Sequence, residues 1–289
     1  MVKLVRYSQE HKNLWDRFVL DSKNGVFLFD RKYMDYHSDR FKDNSMIALN
    51  DGGKPLALFP ANIKEDTIIS HGGLTFGGFI VDSYMRTPLM LEMMEALFEQ
   101  FKEEGISRVT YKAIPHIYHT VPAEEDLYAL FRMNARLVRR DVSSTILMSE
   151  KLKFTKERRW SVKKSQLNGV NVVRSQDFDT FMKIEEELLK ARHDTKPVHT
   201  ADEMKLLAGR FPENIKLFAA EKDREMMGGI IMYESRNVAH SQYIASTEEG
   251  RRICAVDAVI DYLINVYYAD KRYFDFGIST EKDGRYLNV

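Results

Sequence analysis

One cysteine, Cys254, stands in a chain of 289 residues. That excludes an intrachain disulfide and any zinc site built from several cysteines, and it suits a reducing compartment. An excess of either charge is missing too: Lys and Arg total 43, and Asp and Glu total 43. A protein that grips DNA by bulk charge is normally clearly basic, so no DNA partner is expected, although a local basic patch is compatible with overall neutrality. No run approaches the ~18 consecutive apolar residues of a membrane span, and residues 1–18 hold no apolar core of a secretion signal. The expectation is a soluble, cytoplasmic protein without a membrane span.

What is present is enough apolar material for two cores, at 44% hydrophobic residues. The length exceeds the roughly 100–200 residues of one domain. In the first half, helical spacing of Leu14, Trp15, Phe18 and Val19 predicts a helix over 9–22. Apolar runs at 45–50 and 55–63 around Asp51-Gly52-Gly53 read as a hairpin. A glycine-interrupted strand follows over 74–81, and Thr87-Pro88 opens a helix that Gly105 closes. A strand at 108–114, a helix at 124–134 and a strand pair through 138–148 complete the half. The second half repeats the order: helix 177–192, hairpin strands 217–221 and 226–233, strand 238–246, helix 251–268, strand 273–279. Strand–helix–strand from Leu74 maps onto that from Ala239 at an offset of 165 residues. Agreement of five elements in type, order and spacing predicts a duplicated α/β module with mixed sheets.

Residues 151–175 carry Lys151, Lys153, Lys156, Arg158, Arg159, Lys163, Lys164 and Arg174 against Glu157. The segment reads either as a solvated basic linker or as a positive wall beside a cleft for a phosphorylated ligand. Trp160 interrupts it and is expected to dock it onto a domain.

Helix, hairpin, strand, helix, strand resembles the element order of the GNAT acyltransferase fold, and two such modules resemble bacterial FemAB-type transferases. The strings Ser70-His71-Gly72-Gly73-Leu74-Thr75-Phe76-Gly77-Gly78, Lys196-Pro197-Val198-His199-Thr200, His240-Ser241-Gln242-Tyr243 and Asp275-Phe276-Gly277-Ile278-Ser279-Thr280-Glu281 carry the likeness. It implies two tandem GNAT-like modules, 1–150 and 176–289, joined by the basic linker 151–175. The second would be truncated, ending where its last helix and strands should begin. Strand 273–279 would then be an open edge, a candidate for homodimer pairing. The resemblance also implies a donor, acyl-CoA or aminoacyl-tRNA, and an amine acceptor, either a small molecule or a cell-wall precursor.

GNAT proteins hold the donor pyrophosphate at a strand-to-helix turn, where free N–H groups and the helix dipole favour an anion. The matching turn is Thr247-Glu248-Glu249-Gly250-Arg251-Arg252, which makes Thr247, Gly250, Arg251 and Arg252 the donor-binding candidates. His240 and Gln242, two apart on one strand, would share a face, with Tyr243 on the other. With Asp275 and Glu281 they are the catalytic candidates, because acyl transfer to an amine needs a proton removed. Lys196 and His199, in an expected surface loop, and His71 are candidates for binding an acceptor. His116 and His119 have metal-compatible spacing but no third ligand, so no metal is expected. The alternative is a catalytically degenerate member that binds a ligand or partner without turnover.

Overall fold

The computed structural model describes residues 2–278, and the chain divides into two compact units, Met1–Val138 and Arg139–Val289. In the first, β1 (Lys3–Arg6) precedes α1 (Lys12–Asp21) and the short α2 (Arg31–Met34). Then come β2 (Met46–Leu49), β3 (Pro55–Phe59), β4 (Asn62–Lys64), β5 (Thr67–Ile69), β6 (Ile80–Val81), α3 (Thr87–Glu103), β7 (Arg108–Thr110) and α4 (Glu125–Arg132). The strands form one sheet in the order β1-β2-β3-β6 and another in the order β4-β5-β7. Met90, Met93, Met94, Leu97 and Phe101 of α3 pack with Phe59, Ile68 and Phe79, each such burial stabilising by roughly 1.5–3 kcal/mol. The strand expected over 74–81 shrinks to β6. Its glycines serve close approach instead: a Cβ on Gly77 would lie 1.8 Å from the Ser70 carbonyl oxygen.

The second unit opens with β8 (Ser143–Leu147), α5 (Lys156–Leu167) and β9 (Asn171–Ser175). It continues through α6 (Phe178–His193), α7 (Ala201–Arg210), β10 (Ile215–Lys222), β11 (Glu225–Glu234), β12 (Val238–Ser246), α8 (Glu248–Arg252), α9 (Ala255–Tyr262) and β13 (Tyr273–Ile278). One sheet holds them in the order β8-β13-β12-β11-β10-β9, with β12 and β13 parallel and the other pairs antiparallel. Phe218, Ile230, Met232, Ala239 and Phe274 meet Val259 and Leu263 on one face. α6 covers β11 and β12, and α7 lies against α6 and β10. The β10–β11 turn places Asp223 (φ 52) and Arg224 (φ 68) in the left-handed region, as a tight hairpin demands.

Four expectations are corrected here. Residues 151–175 are not a linker: α5 packs on α9, and β9 pairs with β10 from Leu217↔Ser175 to Glu221↔Asn171. Trp160 does not dock the segment, being 60% exposed. β13 is not an open edge. Its outer side is paired by β8, from Tyr273↔Leu147 to Ile278↔Ser143, so the premise for dimer pairing through that strand is removed. The expected helix 251–268 is also broken, because Cys254 adopts φ 61 and starts α9 afresh.

Candidate active site

β12 and β13 pair over Val238↔Tyr273, Ala239↔Phe274 and His240↔Asp275, and there the pairing ends. β12 runs on to Ser246 and β13 to Ile278, so the parallel neighbours part beyond His240. Past that point β12 and β13 share no ladder pairing among the described residues. On the other side of β12 a bulge falls at Gln242: Ile231 pairs with Tyr243 and Met232 with Ser241. Bulges re-aim side chains, and this one corrects the expected facing. Tyr233 lies opposite His240 and Ile231 opposite Tyr243. Tyr233 and Ile231 share a face of β11, so His240 and Tyr243 share one too.

At the last paired position, His240 Nδ1 lies 2.7 Å from Asp275 Oδ2. The other carboxylate oxygen, Oδ1, accepts from Thr145 Oγ1 at 2.7 Å and from the Gly277 N–H at 3.2 Å. Asp275 is only 3% exposed. Burial alone would raise its pKa, but the hydrogen bonds and charge of His240, with Thr145 and Gly277, prevail and hold it below the ordinary carboxylate value. An ionised carboxylate only accepts, so His240 Nδ1 carries a proton, and in the neutral imidazole the lone pair is then on Nε2. Nε2 has no hydrogen-bond partner among the described residues. Gly277 sits in the left-handed region (φ 84), and a Cβ there would meet His240 Cε1 at 3.1 Å. Asp275-x-Gly277 is thus one device: the acid orients the imidazole and the glycine leaves room for it.

Three residues of this region were not among the sequence candidates. Thr145 comes from β8, whose pairing with β13 no local pattern announces. Tyr243, expected on the face away from His240, has its hydroxyl 2.6 Å from His199 Nδ1. Glu185, on α6, is 6% exposed, and its Oε2 has no hydrogen-bond partner among the described residues. Burial pushes its pKa up to about 7. The signal was legible: a carboxylate between Ile184 and Leu188 in the apolar stripe of α6.

The donor-turn candidates lie at the carboxyl end of β12. Thr247 Oγ1 accepts from the Gly250 N–H at 2.9 Å and contacts the Met227 carbonyl at 3.1 Å, so this hydroxyl caps α8 itself. A Cβ on Gly250 would lie 2.0 Å from the Met227 carbonyl oxygen, so glycine is required for the close seat of α8 on β11. Replacing Gly250 by alanine should cost about 1–3 kcal/mol as an overpacked contact, read by chemical denaturation. Arg251 donates to the Ser246 carbonyl at 3.0 Å. Arg252 is committed to Glu249, with both contacts at 2.7 Å, which weakens its expected role toward an anion.

The acceptor candidates have these surroundings. Lys196 is exposed and pairs with Glu186 at 3.2 Å. His199 is buried against Tyr243 and is not a surface-loop residue. His71 belongs to the first unit, where it stacks on His37 with ring centroids 5.3 Å apart. At 3% exposure it offers no binding surface, and desolvation lowers its pKa to about 3, which keeps it neutral. Glu281 lies outside the described residues. Among the described residues no cluster of three or more His, Cys, Asp or Glu has metal-site geometry, and no helix is long and apolar enough to cross a membrane.

Residues 152–286 match the family described as acetyltransferase (GNAT) domain. The match covers a little under half of the chain and falls within the second unit. A crystal structure of FemX aligns with TM-score 0.67 at 11% identity, covering 98% of this chain and 91% of that one. L-PGS from Bacillus licheniformis aligns at 0.61 and 8% identity, covering 98% and 79%. A protein of unknown function from Bacteroides thetaiotaomicron aligns at 0.61 and 10%, covering 100% and 92%. No curated protein matches in sequence. At such identities the likeness speaks for fold alone, and that fold, two GNAT-like modules in tandem, spans both units. α5 and β9 lie inside the GNAT match, in keeping with their place in the sheet.

Proposed function

We propose that this protein is an N-acyltransferase of the GNAT domain's class, moving an acyl or aminoacyl group from acyl-CoA or aminoacyl-tRNA to an amine. The observation that carries this reading is the His240–Asp275 pair, 2.7 Å apart, at the point where β12 and β13 separate. Parted parallel strands leave amide and carbonyl groups with which an extended, amide-bearing donor arm can pair in place of a strand. From His240 to Thr247 the extended backbone spans about 23 Å at roughly 3.3 Å per residue, so one end of such a donor lies at the base and the other at the turn.

In this reading the acceptor ammonium gives a proton to His240 Nε2. The neutral amine attacks the donor carbonyl, the C–N bond forms, the C–S or C–O ester bond breaks, and the second proton lost by the attacking nitrogen ends on the leaving thiolate or alkoxide. Asp275 stabilises the imidazolium, and Thr145 and Gly277 hold Asp275 in place. Catalysis rests on positioning and proton removal, with no covalent enzyme intermediate. A cell-wall precursor amine or a small-molecule amine serves as acceptor.

The turn at 247–252 bears on the donor. Thr247 already occupies the Gly250 N–H, and Glu249 neutralises Arg252. That arrangement favours a donor that depends little on a pyrophosphate cradle, and so gives aminoacyl-tRNA weight beside acyl-CoA. Calorimetric titration with acetyl-CoA, then with a panel of aminoacyl-tRNAs, distinguishes the two. Arg251→Ala should weaken acyl-CoA binding about tenfold or more, as loss of a charge-assisted contact of about 1.5–3 kcal/mol. Arg252→Ala should have the smaller effect. Binding of neither donor class would sink the enzymatic reading and favour a degenerate ligand-binding member.

A further inference from the structure

α5 packs against α9 through one side only: Ser165 is fully buried, Val162 is half-buried, and Arg158 reaches Asp257 at 2.9 Å. The opposite side presents Lys156, Trp160, Lys163, Lys164 and Leu167, spaced i, i+4, i+7, i+8 and i+11 along one helical face. Trp160 is 60% exposed and Leu167 77%. The Lys164 ammonium lies 5.2 Å from the Trp160 ring centroid. None of these side chains serves the acyl-transfer site described above.

We infer that this face of α5 is a docking surface for an anionic lipid bilayer. Trp160 and Leu167 lie one above the other as an apolar ridge, and the three lysines flank it. That is the arrangement of an interfacial helix, in which the ridge enters the boundary between headgroups and acyl chains. The lysine stems extend along the apolar surface while the ammonium groups meet the phosphates. A phosphate backbone of RNA fits less well. Leu167, between the lysines, gains nothing from phosphates. The cations on the ridge are lysine point charges; of the two guanidinium forks on α5, Arg158 is paired inward with Asp257 and Arg159 stands at the margin of this face, four residues before Lys163. With two apolar side chains and three charges the attachment is reversible and sensitive to salt.

The inference does not rest on the acyl-transfer reading, and it is tested without donor or acceptor. The chain has two tryptophans, and Trp15 is fully buried in the first unit, so vesicle-dependent emission changes report on Trp160. The full chain should co-sediment with vesicles containing phosphatidylglycerol and not with phosphatidylcholine alone. Its emission should shift to the blue and be quenched by brominated acyl chains. Combining Lys156→Gln, Lys163→Gln and Lys164→Gln should weaken this binding roughly a hundredfold while keeping the reporter. Trp160→Ala with Leu167→Ala should weaken co-sedimentation about tenfold or more. Circular dichroism of both variants should be unchanged, because none of the substituted side chains is buried. The inference is overturned by equal sedimentation with both vesicle types, by binding that these variants leave intact, or by unshifted Trp160 emission. Binding to transfer RNA that the lysine variant loses, with no vesicle binding, would assign the face to RNA and overturn it as well.

Discussion

Replacing His240 by alanine should lower kcat by about 10²–10⁴-fold, the range that a positioned general base contributes, with little change in donor binding. Asp275→Asn should come close to the same loss for a different reason. Thr145 and Gly277 both donate to Asp275 Oδ1, so an asparagine there keeps its carbonyl toward them and turns its NH₂ toward His240. Nδ1 must then accept, the proton moves to Nε2, and the base is lost while the ring stays in place. Because Asp275 is held ionised below the ordinary carboxylate range, its own titration lies under the pH range of assay. Its stabilising effect is present above the unfolded carboxyl pKa and is lost only as pH falls through the lowered folded value. The acidic limb of the pH–rate profile therefore belongs to groups other than Asp275. Steady-state kinetics of the two variants, with donor KM measured separately, decides the matter. A kcat within threefold of wild type in both would remove His240 from the mechanism.

The second large effect concerns stability. Glu185 is buried on α6 with an unpartnered carboxyl oxygen, and its pKa rises from 4.5 to about 7. Below the unfolded value the group is protonated in both states and costs nothing. Between the two values the unfolded chain releases the proton and the folded chain keeps it, so stability falls as pH rises. Above the folded value the loss is complete, at about 3 kcal/mol. Glutamine cannot ionise, so Glu185→Gln should be the more stable protein at pH 8 and nearly equal at pH 4.5. Urea denaturation at the two pH values checks this. An equal difference between wild type and variant at both would mean that Glu185 is not kept protonated by the fold.

Much of the second unit was legible because its signals are local. The alternation of β12 over Val238–Ser246, the apolar stripe of α6 and the strand carrying Asp275 are periodicities that a short window contains. His240 and Asp275 could therefore be named as candidates on neighbouring strands before any coordinates. α7 went unread although Thr200 and Glu203 form a capping box and Met204, Leu207 and Ala208 follow at helical spacing. That signal was present.

Other features are decided by contacts between distant residues. Period-two alternation says which residues share a face, not which strand lies alongside, so β8 could be placed next to β13 only by the folded sheet. That pairing brings Thr145 to Asp275 across 130 residues. One extra residue at Gln242 is invisible to alternation, yet it turns Tyr243 to the face of His240 and toward His199. Burial of His71 and His199, and the outward ridge of Trp160, depend on which surfaces their elements cover. The chain by itself determined a duplicated α/β module and a histidine–carboxylate pair, because hydrophobic period and residue type are properties of neighbours. Only the tertiary structure decided the tautomer of His240, the partner of the last strand and the free face of α5, because each is settled by groups far apart in sequence.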